Sequence, residues 1–77
     1  MDFRELDTVV LDRDRPDLGL RRGDLGAVVA VLESDGLEVE FVTAAGRTEA
    51  VVTLAAADVR PIAETDMVSV RPVRRSA

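Results

Sequence analysis

Hydrophobic and polar positions alternate most regularly over residues 37–41. Leu37, Val39 and Phe41 fall on one side, Glu38 and Glu40 on the other. This alternation predicts a strand from Leu37 to Thr43 with one core face and one solvated face, and makes Phe41 the central core residue. Upstream, the Asp-Gly turn Asp35-Gly36 joins that strand to the apolar run Ala27–Leu32. The run is apolar on both faces, which leaves two readings. Either a long, bent strand crosses between two sheets and is covered within one chain, or one face lies in a dimer interface. Just before it, Gly23 and Gly26 bracket a sharp turn and supply backbone angles closed to other residues.

The other elements follow from composition and punctuation. Leu6–Leu11, rich in β-branched residues, predicts the first strand. Charge, Pro16 and Gly19 make residues 12–19 a long loop, anchored by Leu18 and Leu20 turning inward. Ala44-Ala45-Gly46-Arg47 is a second hairpin connection, and Thr48–Leu54 a fourth strand with Ala50, Val52 and Leu54 inward. Ala55–Asp58 is too short for an α-helix and suits one 3₁₀ turn. Val59-Arg60-Pro61 is then a short last strand ended by its proline. This order predicts an all-β fold, a small five-stranded SH3-like barrel over residues 1–61, with a C-terminal extension over residues 62–77. Within the extension, residues 67–71 alternate again with Val68 and Val70 on one side. They form either a frayed tail or a sixth strand added to a sheet edge. The basic end Arg71-Pro72-Val73-Arg74-Arg75 is expected to be mobile.

Size and charge narrow the function classes. A 77-residue chain is a single domain that buries only about 60% of the surface its unfolded form exposes. The net charge is −5, unevenly spread: seven arginines against fourteen carboxylates over residues 1–65, three against one over residues 66–77. An acidic body repels phosphate backbones and makes general nucleic-acid binding a minor prospect. No apolar run approaches the ~20 residues of a membrane span, and the start Met1-Asp2-Phe3-Arg4-Glu5 does not read as a signal peptide. The expected location is the cytoplasm, with no membrane partner.

Catalysis is unsupported by the inventory of side chains. Cys and His are absent, as is Lys, all ten basic residues being arginine. That removes the usual nucleophiles, bases and Schiff-base formers, together with thiolate and imidazole metal ligands. Ser34, Ser69 and Ser76 have no base to activate them, and the i,i+2 carboxylates Glu38/Glu40 and Asp12/Asp14 read as solvated faces. The expectation is no enzyme, no cofactor and no metal. With no Trp or Tyr there is no aromatic groove for a polyproline helix either.

Gly23-Asp24-Leu25-Gly26-Ala27-Val28-Val29 resembles the KOW motif, in which a glycine-centred loop precedes a Val-rich strand and contacts RNA or protein. On that likeness Arg21 and Arg22 would pair with phosphates; otherwise they solubilise a loop tip and pair with Asp24 or Asp17. Taken whole, the chain resembles the small bacterial proteins of the DUF4926 family, a domain of unknown function. The resemblance rests on Glu5–Leu11, Pro16, Gly19-Leu20, Gly23–Gly26, Val39–Val42, Gly46, Val52-Thr53-Leu54 and Asp58–Pro61. It implies a small β fold in a bacterial setting and no catalytic or binding residues.

The leading expectation is a non-catalytic protein-binding module that holds a protein partner, or a second copy of itself, in the manner of an antitoxin or immunity protein. Glu38, Glu40 and Glu49 would suit a basic partner. Val68, Val70 and Arg71 would serve self-association, and Arg71, Arg74 and Arg75 would grip an acidic partner. The alternative is a KOW-like accessory of RNA or the ribosome, docking through Arg21, Arg22 and the basic tail.

Overall fold

In the computed structural model, which describes residues 2–73, five strands form one antiparallel sheet in the order β4-β3-β2-β1-β5. They are β1 (Thr8–Leu11), β2 (Leu25–Val31), β3 (Gly36–Val42), β4 (Thr48–Ala55) and β5 (Val59–Pro61). One 3₁₀ turn, Pro16–Leu18, lies in the long loop, and a second, Ala56–Asp58, precedes β5 as expected. The first four strands make a meander. β5 then returns to pair with β1, matching Leu11 with Val59 and Val9 with Pro61.

The all-β architecture stands, but the sheet is not closed into a barrel. Closure would require β5 to pair with β4, and no such ladder forms among the described residues. The turn Ala56–Asp58 instead directs β5 to the free side of β1. β5 itself is three residues long and ends in a proline that has no N–H to offer a further ladder.

The core lies on one face of the sheet. Val9, Leu11, Val28, Leu37, Val39 and Phe41 meet there, with Leu20, Leu54 and Val59 completing the cluster. Each such side chain gains about 1.5–3 kcal/mol on full burial, so this set is the main source of stability for so short a chain. Leu37, Val39 and Phe41 all face inward, as their alternation requires. Leu20 is buried and Leu18 packs against the cluster, anchoring the long loop. Val10 is buried too, although it lies on the opposite side of β1 from Val9 and Leu11.

Three local features depart from the expectations. β1 begins at Thr8, because Leu6 adopts a left-handed backbone (φ 73°) and projects into solvent. The tight turn falls one residue earlier than Asp35-Gly36: Ser34 and Asp35 take the left-handed angles, and Gly36 already belongs to β3. An aspartate tolerates that region, so the glycine was not needed there. In β2 the register to β3 slips between Val28 and Ala30, leaving Val29 as an extra, bulged residue. Past the bulge β2 no longer keeps both faces covered, and Val29, Val31 and Leu32 are exposed.

Gly23 and Gly26 act by different means. Gly23 has φ 97°, which only glycine adopts without strain. Gly26 does not. There, a Cβ would lie 2.5 Å from Val39 Cγ1 and 3.0 Å from Phe41 Cε1, so the missing side chain is the space these two occupy.

After β5 the chain turns back through residues 62–66. Arg60 donates from both Nη atoms to Asp66, each at 2.9 Å, and the Ala63 amide donates to the same carboxylate at 2.7 Å. The Arg60 guanidinium and that amide hold the Asp66 carboxyl down at about 2. Residues 67–71 form no strand, and Val68 and Val70 stand in solvent. The sixth-strand alternative has no ladder among the described residues.

Two outcomes are expected. Phe41→Ala should cost about 3–5 kcal/mol in chemical denaturation, which is enough to unfold much of the population. Because the folded pKa of Asp66 is depressed, its contribution is complete above the unfolded value near 4 and is lost as pH falls toward 2. An NMR titration of the Asp66 carboxyl carbon should therefore show a midpoint near 2, and Arg60→Ala should move it upward.

Candidate protein-binding surfaces

The arginines offered for phosphate binding sit among carboxylates. Arg22 donates its backbone amide to Asp14 at 2.9 Å and its Nε to Asp12 at 3.2 Å. The Arg21 amide donates to Asp24 at 2.8 Å. Elsewhere in the same loops Arg13 pairs with Asp58, and Arg15 with Asp17. Exposed pairs of this kind are individually worth about 0–1 kcal/mol. Their collective effect is on the field: a phosphate approaching Arg22 also meets Asp12 and Asp14.

Asp24 is the most heavily engaged of these acids. Arg71, far along the chain, reaches it with Nε at 2.9 Å and Nη2 at 2.5 Å, and Nη2 also donates to the Gly19 carbonyl at 3.1 Å. This bidentate contact lays residues 69–73 across the loop before β2. Between them runs an open cleft of about 330 Å³ lined by Leu20, Leu25, Phe41, Val42, Val70 and Val73 among others. Burial pushes the Asp24 carboxyl up, but Arg71 and the Arg21 amide outweigh it and hold the group below its ordinary value. The same contact raises Arg71. Arg71 is thus satisfied within its own chain, which leaves little of it to grip an acidic partner. Arg74 and Arg75 lie outside the described residues.

Glu38 and Glu40 occupy the sheet face opposite the core. Cross-strand register places Glu38 between Ala30 of β2 and Thr53 of β4, and Glu40 between Ala27 and Val51. Both are half-buried, and Thr48 donates its hydroxyl to Glu40 at 2.6 Å. Because the neighbours on β2 are alanines, a hollow of about 240 Å³ opens beside Glu40. Leu25, Gly26, Ala27 and Val42 complete its lining. A carboxylate in a small-floored hollow between two apolar side chains is shaped for a long cationic side chain. The aliphatic stem would rest on Leu25 and Val42 while the head meets Glu40.

The structure therefore joins Glu38 and Glu40 on one face and leaves Arg21 and Arg22 in the loops, while the cleft lined by Val70 and Arg71 shares Leu25 and Val42 with the hollow beside Glu40. Sequence reasoning missed the hollow and the role of Asp24. The one available signal was the small Ala27 facing Glu40, and it is readable only once the register is known. Among the described residues no group of three or more His, Cys, Asp or Glu could hold a metal ion, and no helix is long and apolar enough to cross a membrane.

Breaking the clasp should free the tail without unfolding the sheet. Arg71→Gln is expected to lower the backbone order parameters of residues 69–73 below about 0.6, the flexible range. Those of β1–β4 should stay near the rigid value.

Residues 5–61 match a family model that extends from the lead-in of β1 to the end of β5. No curated protein and no solved structure matches the chain. The matched segment takes in all five strands and stops short of the clasped tail, and on that match the chain belongs to the family described as Domain of unknown function (DUF4926).

Proposed function

We propose that this protein is a non-catalytic, cytoplasmic protein-binding module whose outer sheet face receives a basic segment of a partner protein. The observation that carries this reading is the hollow beside Glu40. It combines a half-buried carboxylate, apolar flanks at Leu25 and Val42, and a floor of small residues. Glu38 lies one row along the same face, next to Ala30 and Thr53, and extends the acidic strip. A net charge of −5 draws cationic partners from a distance, while the apolar flanks provide the short-range contact that charge alone does not.

A protein that masks the nucleic-acid-binding surface of another protein presents this chemistry: a carboxylate strip that stands in for phosphates on a rigid sheet. An inhibitor or antitoxin-like partner of such a protein is the concrete form of the proposal. The RNA-docking alternative has less behind it, since Arg22 is engaged by Asp12 and Asp14 and the neighbouring loops are rich in acid.

The test is capture from an extract of the source cell, comparing the intact chain with the Glu38→Arg/Glu40→Arg double variant, each with and without nuclease. The expected result is a basic protein held in stoichiometric amount by the intact chain, kept after nuclease treatment and weakened tenfold or more, roughly, by the double variant. Capture that disappears with nuclease and is abolished by Arg21→Ala/Arg22→Ala would transfer the function to RNA.

A further inference from the structure

The two edges of the sheet are unequal. β5 is protected: it is three residues long, ends in Pro61, and is followed at once by the turn that Arg60 and Asp66 lock. β4 is not. It has no proline, and although a bulge at Glu49 interrupts its start, the stretch from Ala50 to Ala55 runs in regular register and carries no charge. Its outer flank has no strand beside it among the described residues. Edges of that length are normally blunted by charge, proline or a covering element, because their free N–H and C=O groups are a template for another strand. The side chains point the same way. Ala50 and Val52, on the core face, are only half-buried, and Val51, on the opposite face, is 54% exposed, the most exposed large apolar side chain in any of the five strands.

We propose that β4 pairs antiparallel with β4 of a second copy, about a two-fold axis at Val51. In this register Val51 meets its own equivalent, Ala50 faces Val52, and the only ionisable side chain of the strand, Glu49, sits at the bulge beyond the regular ladder. No like charges are opposed, and the half-buried Ala50 and Val52 gain the cover that the open sheet denies them. A second copy is favoured over a foreign segment because the edge carries nothing that would select one by charge, whereas the two-fold pairing is self-complementary. It is also finite: both β4 edges are consumed, and the outer edges of the resulting ten-stranded sheet are two protected β5 strands. This pairing uses the outer edge of β4, whereas the basic partner proposed above uses the sheet face on which Val51 and Thr53 neighbour Glu40 and Glu38.

The two readings respond oppositely to salt. Copies that each carry −5 repel, so added salt should tighten the dimer, whereas docking of a cation at Glu40 should weaken. The experiment is sedimentation equilibrium of the full chain with two kinds of variant. The intact chain should show twice its 8.3 kDa mass, more completely at high salt. Val51→Lys and, separately, Val51→Arg oppose like charges at the axis and should sediment at 8.3 kDa with the circular dichroism and thermal transition of a folded protein. Since the chain has no cysteine, Val51→Cys places a single thiol at the axis, where directly opposed strand residues lie within disulfide reach. It should oxidise to a covalent dimer at least tenfold faster than Ala45→Cys at the hairpin tip. The proposal is overturned if the intact chain stays at 8.3 kDa up to about 1 mM. It is equally overturned if both charged Val51 variants, folded, remain dimeric, or if the two cysteine variants cross-link at the same rate.

Discussion

At Gly26 the inner face of β2 carries no side chain, and Val39 and Phe41 use the room. Any Cβ there would press on Val39 at 2.5 Å and touch the Phe41 ring at 3.0 Å, so the two strands can share their core only because this position is bare. Much else depends on that contact. Gly26 is also in register with Val9 of β1. β1 in turn carries β5 on its other side. A core of this size has no second layer to absorb a misfit, and one intolerant backbone position therefore orders four of the five strands.

Much of the fold was legible in short-range patterns. The alternation of Leu37, Val39 and Phe41 against Glu38 and Glu40 located β3 and its faces, and the proline at residue 61 located the end of β5. What failed to show were relations between distant residues. Barrel closure turns on whether β5 pairs with β4, a relation between strands that no local pattern carries. The Val29 bulge leaves no mark in a run where every residue is apolar, and it decides which valines of β2 are exposed. The Arg71–Asp24 clasp joins residues far apart in sequence, and charge counting cannot choose among so many candidate acids. The hollow beside Glu40 required cross-strand register, which a single strand's sequence does not contain.

Charge is placed differently in the loops and on the sheet. Arg13, Arg15 and Arg22 pair with Asp58, Asp17 and Asp12, so their charge is spent within the loops and holds them together. The carboxylates of β3 have no arginine among their cross-strand neighbours: they face alanines, Thr53 and Val51. The acidic character of the chain is thus expressed on the sheet face, where backbone pairing keeps it rigid, and balanced in the loops. Rigid presentation matters for recognition, since a partner then loses little to ordering the surface it meets.

The pairing of β1 with β5 also sets a timetable for folding. Leu11 meets Val59 and Val9 meets Pro61, so one side of β1 stays unpaired until nearly the whole matched segment has left the ribosome. The meander β1–β4 can form earlier from local hairpins, but contacts spanning this much chain slow the final step. During that interval Val9-Val10-Leu11, wholly buried at the end, presents an open apolar edge. The nascent chain is therefore most vulnerable to mispairing late in its synthesis, and the three residues of β5 act as the closing stitch that ends the exposure.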